Sequence, residues 1–181
     1  MENLKSQTQA ALAALAIVLC LVLFPVAAQP ANIEAAFSPY GKSLDLVLKT
    51  IESAQKTIRV AAYSFTSKPV ATALVDAYKR GVDVKVVADQ KANSGRYTAV
   101  TYLANQGVPA RLNGRYAIHH HKFILVDGRH LETGSFNYSA AAASKNAENV
   151  LVLRDVPEVV AQYQHEWERL WNEGIDVKAN Y

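Results

Sequence analysis

The chain has one cysteine, Cys20, in 181 residues, so no disulfide can form within it. Glycine (8) and proline (6) are sparse, which excludes a collagen-like fibre. A strong excess of one charge is lacking too: 19 Lys and Arg face 16 Asp and Glu, a formal net charge of +3. Such a mild excess permits a polyanionic partner without arguing for one. Half of the residues are apolar and only 19% are charged, so a disordered chain is excluded as well.

The apolar residues are unevenly placed. From Ala10 to Ala28 no charged or polar side chain occurs, and Pro25 alone interrupts a run of Ala, Val, Ile, Leu, Cys and Phe. With Lys5 in the polar start and small residues at Val26-Ala27-Ala28, this segment has the parts of a secretory signal cleaved before Gln29. Residues 1–28 are therefore expected to be removed, leaving residues 29–181 as one periplasmic or secreted domain. The competing expectation is an uncleaved anchor holding the domain at a membrane, facing the periplasm, because the run is just long enough to cross roughly 30 Å of hydrocarbon. Bulky Leu19 before Cys20 argues against a lipoprotein site. About 150 residues remain, enough for one self-sufficient core.

Leu44, Val47, Leu48 and Ile51 fall at helical spacing after the Ser38-Pro39-Tyr40-Gly41 turn. Thr57 to Tyr63 reads as a buried strand, Val70 to Tyr78 as a helix capped by Gly81, and Val82 to Ala88 as a second strand. A helix from Tyr97 to Gln106 and an extended piece at Ala110 to Leu112 continue the alternation. Such alternation predicts βαβ units. In the second half Lys122 to Val126, Arg129 to Thr133 and Asn149 to Leu153 are strand-like, with Asp127-Gly128 as a hairpin turn that adds antiparallel strands. Pro157 opens a long amphipathic helix ending at Gly174, with Asp155 as its N-cap or N′ residue and Trp167 and Trp171 on its core face. The fold class is therefore α/β, a mixed and largely parallel sheet with helices on both faces.

The chemistry concentrates at His119-His-His-Lys-Phe-Ile-Leu-Val-Asp127 and Glu132-Thr-Gly-Ser-Phe-Asn-Tyr138. Along a strand His120 and Lys122 share one face, His119 and His121 the other. An imidazole and an ammonium side by side, with Ser135 and Asn137 on a nearby turn, suit a phosphoryl group: the imidazole can attack phosphorus while the cation and amide hold its oxygens.

These residues resemble the phospholipase D superfamily, whose motif is His-x-Lys, four residues, Asp, six residues, Gly-Ser and a following Asn. Here it reads His120, Lys122, Asp127, Gly134, Ser135 and Asn137. One motif copy, the short chain and the leader, with Tyr63-Ser-Phe-Thr66 and Lys145-Asn-Ala-Glu-Asn149, look most like the small bacterial endonuclease branch. The resemblance implies an α/β sandwich that dimerises to complete its site and hydrolyses DNA, and also RNA, with little sequence preference. It further implies a phosphohistidine on His120 and no metal or other cofactor. Lys122, Ser135 and Asn137 would bind the phosphate, Glu148 would orient the histidine and Asp127 would support the site.

His119 and His121 as metal ligands are the weaker reading, because no acidic or cysteine neighbour in sequence completes a ligand set. His130 and His165 have no partner legible in the sequence, while Lys91, Arg96, Arg111 and Arg115 could flank a phosphate backbone. Two alternatives to a nuclease stand: the same chemistry on phospholipid head groups, and a non-catalytic nucleic-acid binder.

Overall fold

A computed structural model of the chain describes residues 32–95 and 98–179. The expected leader at residues 1–28, with Cys20, as well as Arg96 and Tyr97, lies outside the described residues. Along the described residues the order is β1 (Asn32–Ser38), α1 (Ser43–Glu52), β2 (Thr57–Ala62), α2 (Lys68–Lys79), β3 (Asp83–Asp89), α3 (Ala99–Asn105) and β4 (Ala110–Asn113). It continues with β5 (Lys122–Val126), β6 (His130–Gly134), α4 (Ala140–Ser144), β7 (Glu148–Arg154), α5 (Pro157–Glu173) and β8 (Ile175–Asp176).

Local chemistry accounts for the element ends. Ser67 caps α2 by accepting from the Val70 N–H, with Pro69 in the first turn, and the chain leaves at Gly81 with φ +94°, a conformation suited to glycine. Thr98 caps α3 in the same way through the Thr101 N–H at 3.2 Å. Asp155 does not cap α5. It stands one residue outside, at φ +57°, and pairs with Arg129 at 2.5 Å, while Pro157 opens the helix.

The strands form one sheet in the order β1-β7-β6-β5-β2-β3-β4-β8. Parallel pairing is confined to β2–β3 and β3–β4, where helix and strand alternate in the chain. Every other neighbouring pair is antiparallel. The sheet is thus mixed, as expected, but mostly antiparallel rather than largely parallel. Both edge strands contribute to this difference. β1, Asn-Ile-Glu-Ala-Ala-Phe-Ser, has weak strand propensity, and its seven-residue register with β7 is a long-range pairing.

Helices cover both faces. Val60, Val84, Val86, Ile124 and Val126 share a core with Val47 and Ile51 of α1, Val70 and Leu74 of α2 and Val100 and Leu103 of α3. On the other face Ala61, Val87, Phe123 and Leu125 meet Val160, Trp167 and Leu170 of α5. Trp167 is core, as its spacing predicts, and its indole N–H donates to the Val60 carbonyl at 2.9 Å. Truncating it to alanine would cost about 3–5 kcal/mol. Trp171 is half-buried, stacked on Trp167 at 5.1 Å. Because β5 runs antiparallel to β2 with Lys122 opposite Ala62, the end of β2 lies beside the segment entering β5. That juxtaposition builds the site.

Candidate active site

His120 is exposed in the segment just before β5, and Lys122 is the first residue of the strand, only 8% exposed. Alternation holds even before the strand begins: the rings of His119, His121 and Phe123 follow one another at 5.6 and 5.9 Å. His120 and Lys122 instead meet Tyr63, which follows β2, with the imidazole 4.7 Å from its ring centroid and the ammonium 5.2 Å away. The Lys122 ammonium also donates to the His120 carbonyl at 2.7 Å. Burial lowers the Lys122 pKa below the usual lysine value, against an opposing pull from the Glu148 charge.

Ser135 and Glu148 form a second cluster. The Ser135 hydroxyl donates to Glu148 at 2.6 Å and accepts from the Asn149 N–H at 3.0 Å, so it bridges the end of β6 to the start of β7. Gly134 makes this approach possible, since a Cβ there would lie 2.1 Å from the Asn149 carbonyl oxygen. The other Glu148 oxygen accepts from the Asn146 amide at 3.0 Å. Among the described residues no hydrogen bond joins Glu148 to His120; the carboxylate is committed to Ser135 and Asn146, and it acts on Lys122 through its charge. The Asn137 side-chain oxygen is buried with no partner, so this amide keeps unused hydrogen-bonding capacity.

Asp127 requires a correction. It lies beyond the far end of β5, roughly 16 Å from Lys122 at about 3.3 Å per residue. Its carboxylate accepts from the N–H groups of Gln55, Lys56 and Thr57 at 2.9, 2.7 and 2.9 Å, fastening the start of β2. Burial opposes its ionisation, but those three donors hold the pKa below the usual carboxylate value. It supports the fold rather than touching the site.

His119 is 2% exposed, with both ring nitrogens unpartnered, and burial pushes its pKa down to about 4. His121 pairs with Glu166 at 3.1 Å, and Glu166 is held by Arg169. Among the described residues no group of three or more His, Cys, Asp or Glu side chains is placed to hold a metal ion. His130 accepts from the Asp155 N–H at 3.1 Å, and His165 is exposed on α5. Of the basic residues expected to flank a groove, Arg111 pairs with Asp176 and lies over the Trp171 ring, Arg115 pairs with Glu173, and Lys91 donates to the Ala117 carbonyl.

Two residues with no sequence signature support this arrangement. Asp89, at the end of β3, accepts from the N–H groups of His119 and Ala92, both at 2.7 Å. Asn93 donates to the Tyr63 carbonyl at 2.6 Å and accepts from the Phe65 N–H at 3.0 Å. Both are buried, and Asn93 also donates to the Asp89 carbonyl at 2.8 Å.

The family described as "Cardiolipin synthase, PLD-like domain" matches residues 47–171, which include all of these site residues. The chain belongs to the phospholipase D superfamily. It falls in the small, single-motif branch, being 42% identical to Nuc, a phospholipase D family member from Salmonella typhimurium. That structure superposes with a TM-score of 0.80 over 82% of this chain and 99% of the other. The chain is also 35% identical over 136 residues to a mitochondrial cardiolipin hydrolase from Danio rerio, covering 74% of this chain. It is 30% identical over 136 residues to a phospholipase D from Rickettsia bellii, covering 75% of this chain and 67% of the other. The chain spans about 60% of the length of the Danio hydrolase.

Proposed function

We propose that this protein is an exported endonuclease that hydrolyses DNA, and RNA as a second polymer, through a phosphohistidine on His120 at a homodimer interface. The observation that carries this reading is the exposed His120 imidazole beside the buried Lys122 ammonium, both against Tyr63. Likeness to Nuc over nearly its whole length supports the nuclease branch.

The chemistry follows from in-line displacement. The neutral imidazole of His120 attacks phosphorus, the bond to the leaving oxygen breaks, and that oxygen takes a proton from an acid on the opposite side. Lys122 and Asn137 stabilise the charge on the non-bridging oxygens, with Ser135 beside them. Water then attacks the phosphohistidine, losing its proton to the same opposite group, and the phosphorus–nitrogen bond breaks. Among the described residues, Glu148 is engaged by Ser135 and Asn146, and the His121 ring meets His119 and Phe123 edge-on and pairs with Glu166, so neither is offered as that acid. A second copy supplying its own His120 completes the pair. Both acid–base roles are then filled by imidazoles, and no step calls for a metal.

The names of the curated relatives favour a second reading, hydrolysis of a phospholipid such as cardiolipin, which an uncleaved leader would assist. Plasmid DNA and cardiolipin vesicles, offered separately and together to the purified protein in excess EDTA, separate the two. DNA cleavage by the wild type, none by His120→Ala, and vesicles left intact are expected. Lipid hydrolysis with DNA intact would establish the second reading; retention of DNA without turnover would mark a binder.

A further inference from the structure

The His120 imidazole makes no hydrogen bond among the described residues, and its one ring contact is Tyr63 at 4.7 Å. A solvent-exposed imidazole free to rotate about two bonds spends little time aligned for in-line attack, so something must restrict it. The same aromatic ring lies 5.2 Å from the Lys122 ammonium, within the range of a cation–π attraction. Tyr63 therefore touches both side chains that the phosphodiester reading requires.

The ring is itself held. Asn93, 2% exposed, donates to the Tyr63 carbonyl and accepts from the Phe65 N–H, which fixes the segment leaving β2 on both sides of Ser64. Asp89, also 2% exposed, grips the His119 N–H, one residue before His120, and its carbonyl accepts from Asn93. One buried Asp–Asn pair thus sets the backbone of both partners, the ring and the imidazole. We infer that Tyr63 is the positioning residue for the His120 nucleophile and the Lys122 ammonium, and that Asp89 and Asn93 set its distance from them. This rests on the proposed role of His120 and adds the element that orients it, a role that Glu148 does not fill here.

What Tyr63 contributes is the face and edge of a ring, so the phenol oxygen is dispensable and the ring is not. The test uses the full-length protein and bis(p-nitrophenyl) phosphate, a small diester with neither base nor acyl chain, so that substrate class does not enter. Tyr63→Phe should stay within about two-fold of wild-type kcat, whereas Tyr63→Leu should lose about ten-fold or more in kcat with KM within about two-fold. The thermal midpoint of Tyr63→Leu, measured alongside, separates misplacement from unfolding. Wild-type kcat in Tyr63→Leu would overturn the inference, as would equal losses in the Phe and Leu variants. Wild-type activity unchanged in His120→Ala would instead remove the reading on which it rests.

Discussion

The Lys122 ammonium donates to the carbonyl oxygen of His120, two residues back, at 2.7 Å. One bond therefore ties the cation to the backbone of the residue beside which it must act. The geometry suits a compact ammonium in a nearly closed slot. Lys122→Arg places a larger planar guanidinium there and is expected to lower kcat by roughly 100-fold, close to the loss in Lys122→Met. Steady-state assays of both variants check this; near-wild-type activity of the Arg variant would show that charge alone suffices.

Asp127 belongs to the motif but acts on the fold. Asp127→Ala strands three backbone N–H groups at the start of β2, and a destabilisation of about 1–3 kcal/mol is expected in urea denaturation. Activity per folded molecule should persist. Lost activity with unchanged stability would instead give Asp127 a direct role in the site.

Much of this molecule is legible along the chain. The Asp127-Gly128 turn, the βαβ alternation around β2 to β4 and the amphipathic α5 follow from turn chemistry and periodicity, which are local. β1 and the two-residue β8 do not, because each is held by pairing with a distant partner rather than by its own propensity. The site divides in the same way. His120, Lys122, Ser135 and Asn137 are visible as residue types at fixed spacing, but the hold of Asp89 and Asn93 on Tyr63 and His119 exists only after folding. Glu148 is legible only through the resemblance, as a carboxylate that would orient the histidine, and not as the partner of Ser135 and Asn146.

Glu132 gives the fold a pH dependence. It is fully buried on β6, accepts from the Tyr138 hydroxyl at 2.8 Å, and burial pushes its pKa up to about 8 despite that bond. The unfolded chain ionises it near 4.5, so between about 4.5 and 8 the folded state binds more proton and stability falls as pH rises. His119, held down at about 4, gives the opposite slope, but only below its ordinary value of 6.5. Between about pH 6.5 and 8 the wild type should therefore lose stability relative to Glu132→Gln, measured as the difference in thermal midpoint. A constant difference across that range would contradict a neutral Glu132.

The proposed dimer has an arithmetic signature. When wild type and His120→Ala are mixed 1:1 and subunits exchange at random, about one quarter of the dimers carry two intact histidines. Activity should fall to about a quarter of that of the wild type alone at the same total protein. Half the activity would mean that each subunit works by itself.

The most direct measurement is the stereochemical course at phosphorus. Each in-line displacement inverts configuration, so attack by His120 followed by attack of water gives net retention. Hydrolysis of a single phosphorothioate diester diastereomer in ¹⁸O-labelled water, with excess EDTA, is expected to give the retained product. Inversion would contradict the phosphohistidine outright, because it requires water to displace the leaving group in one step.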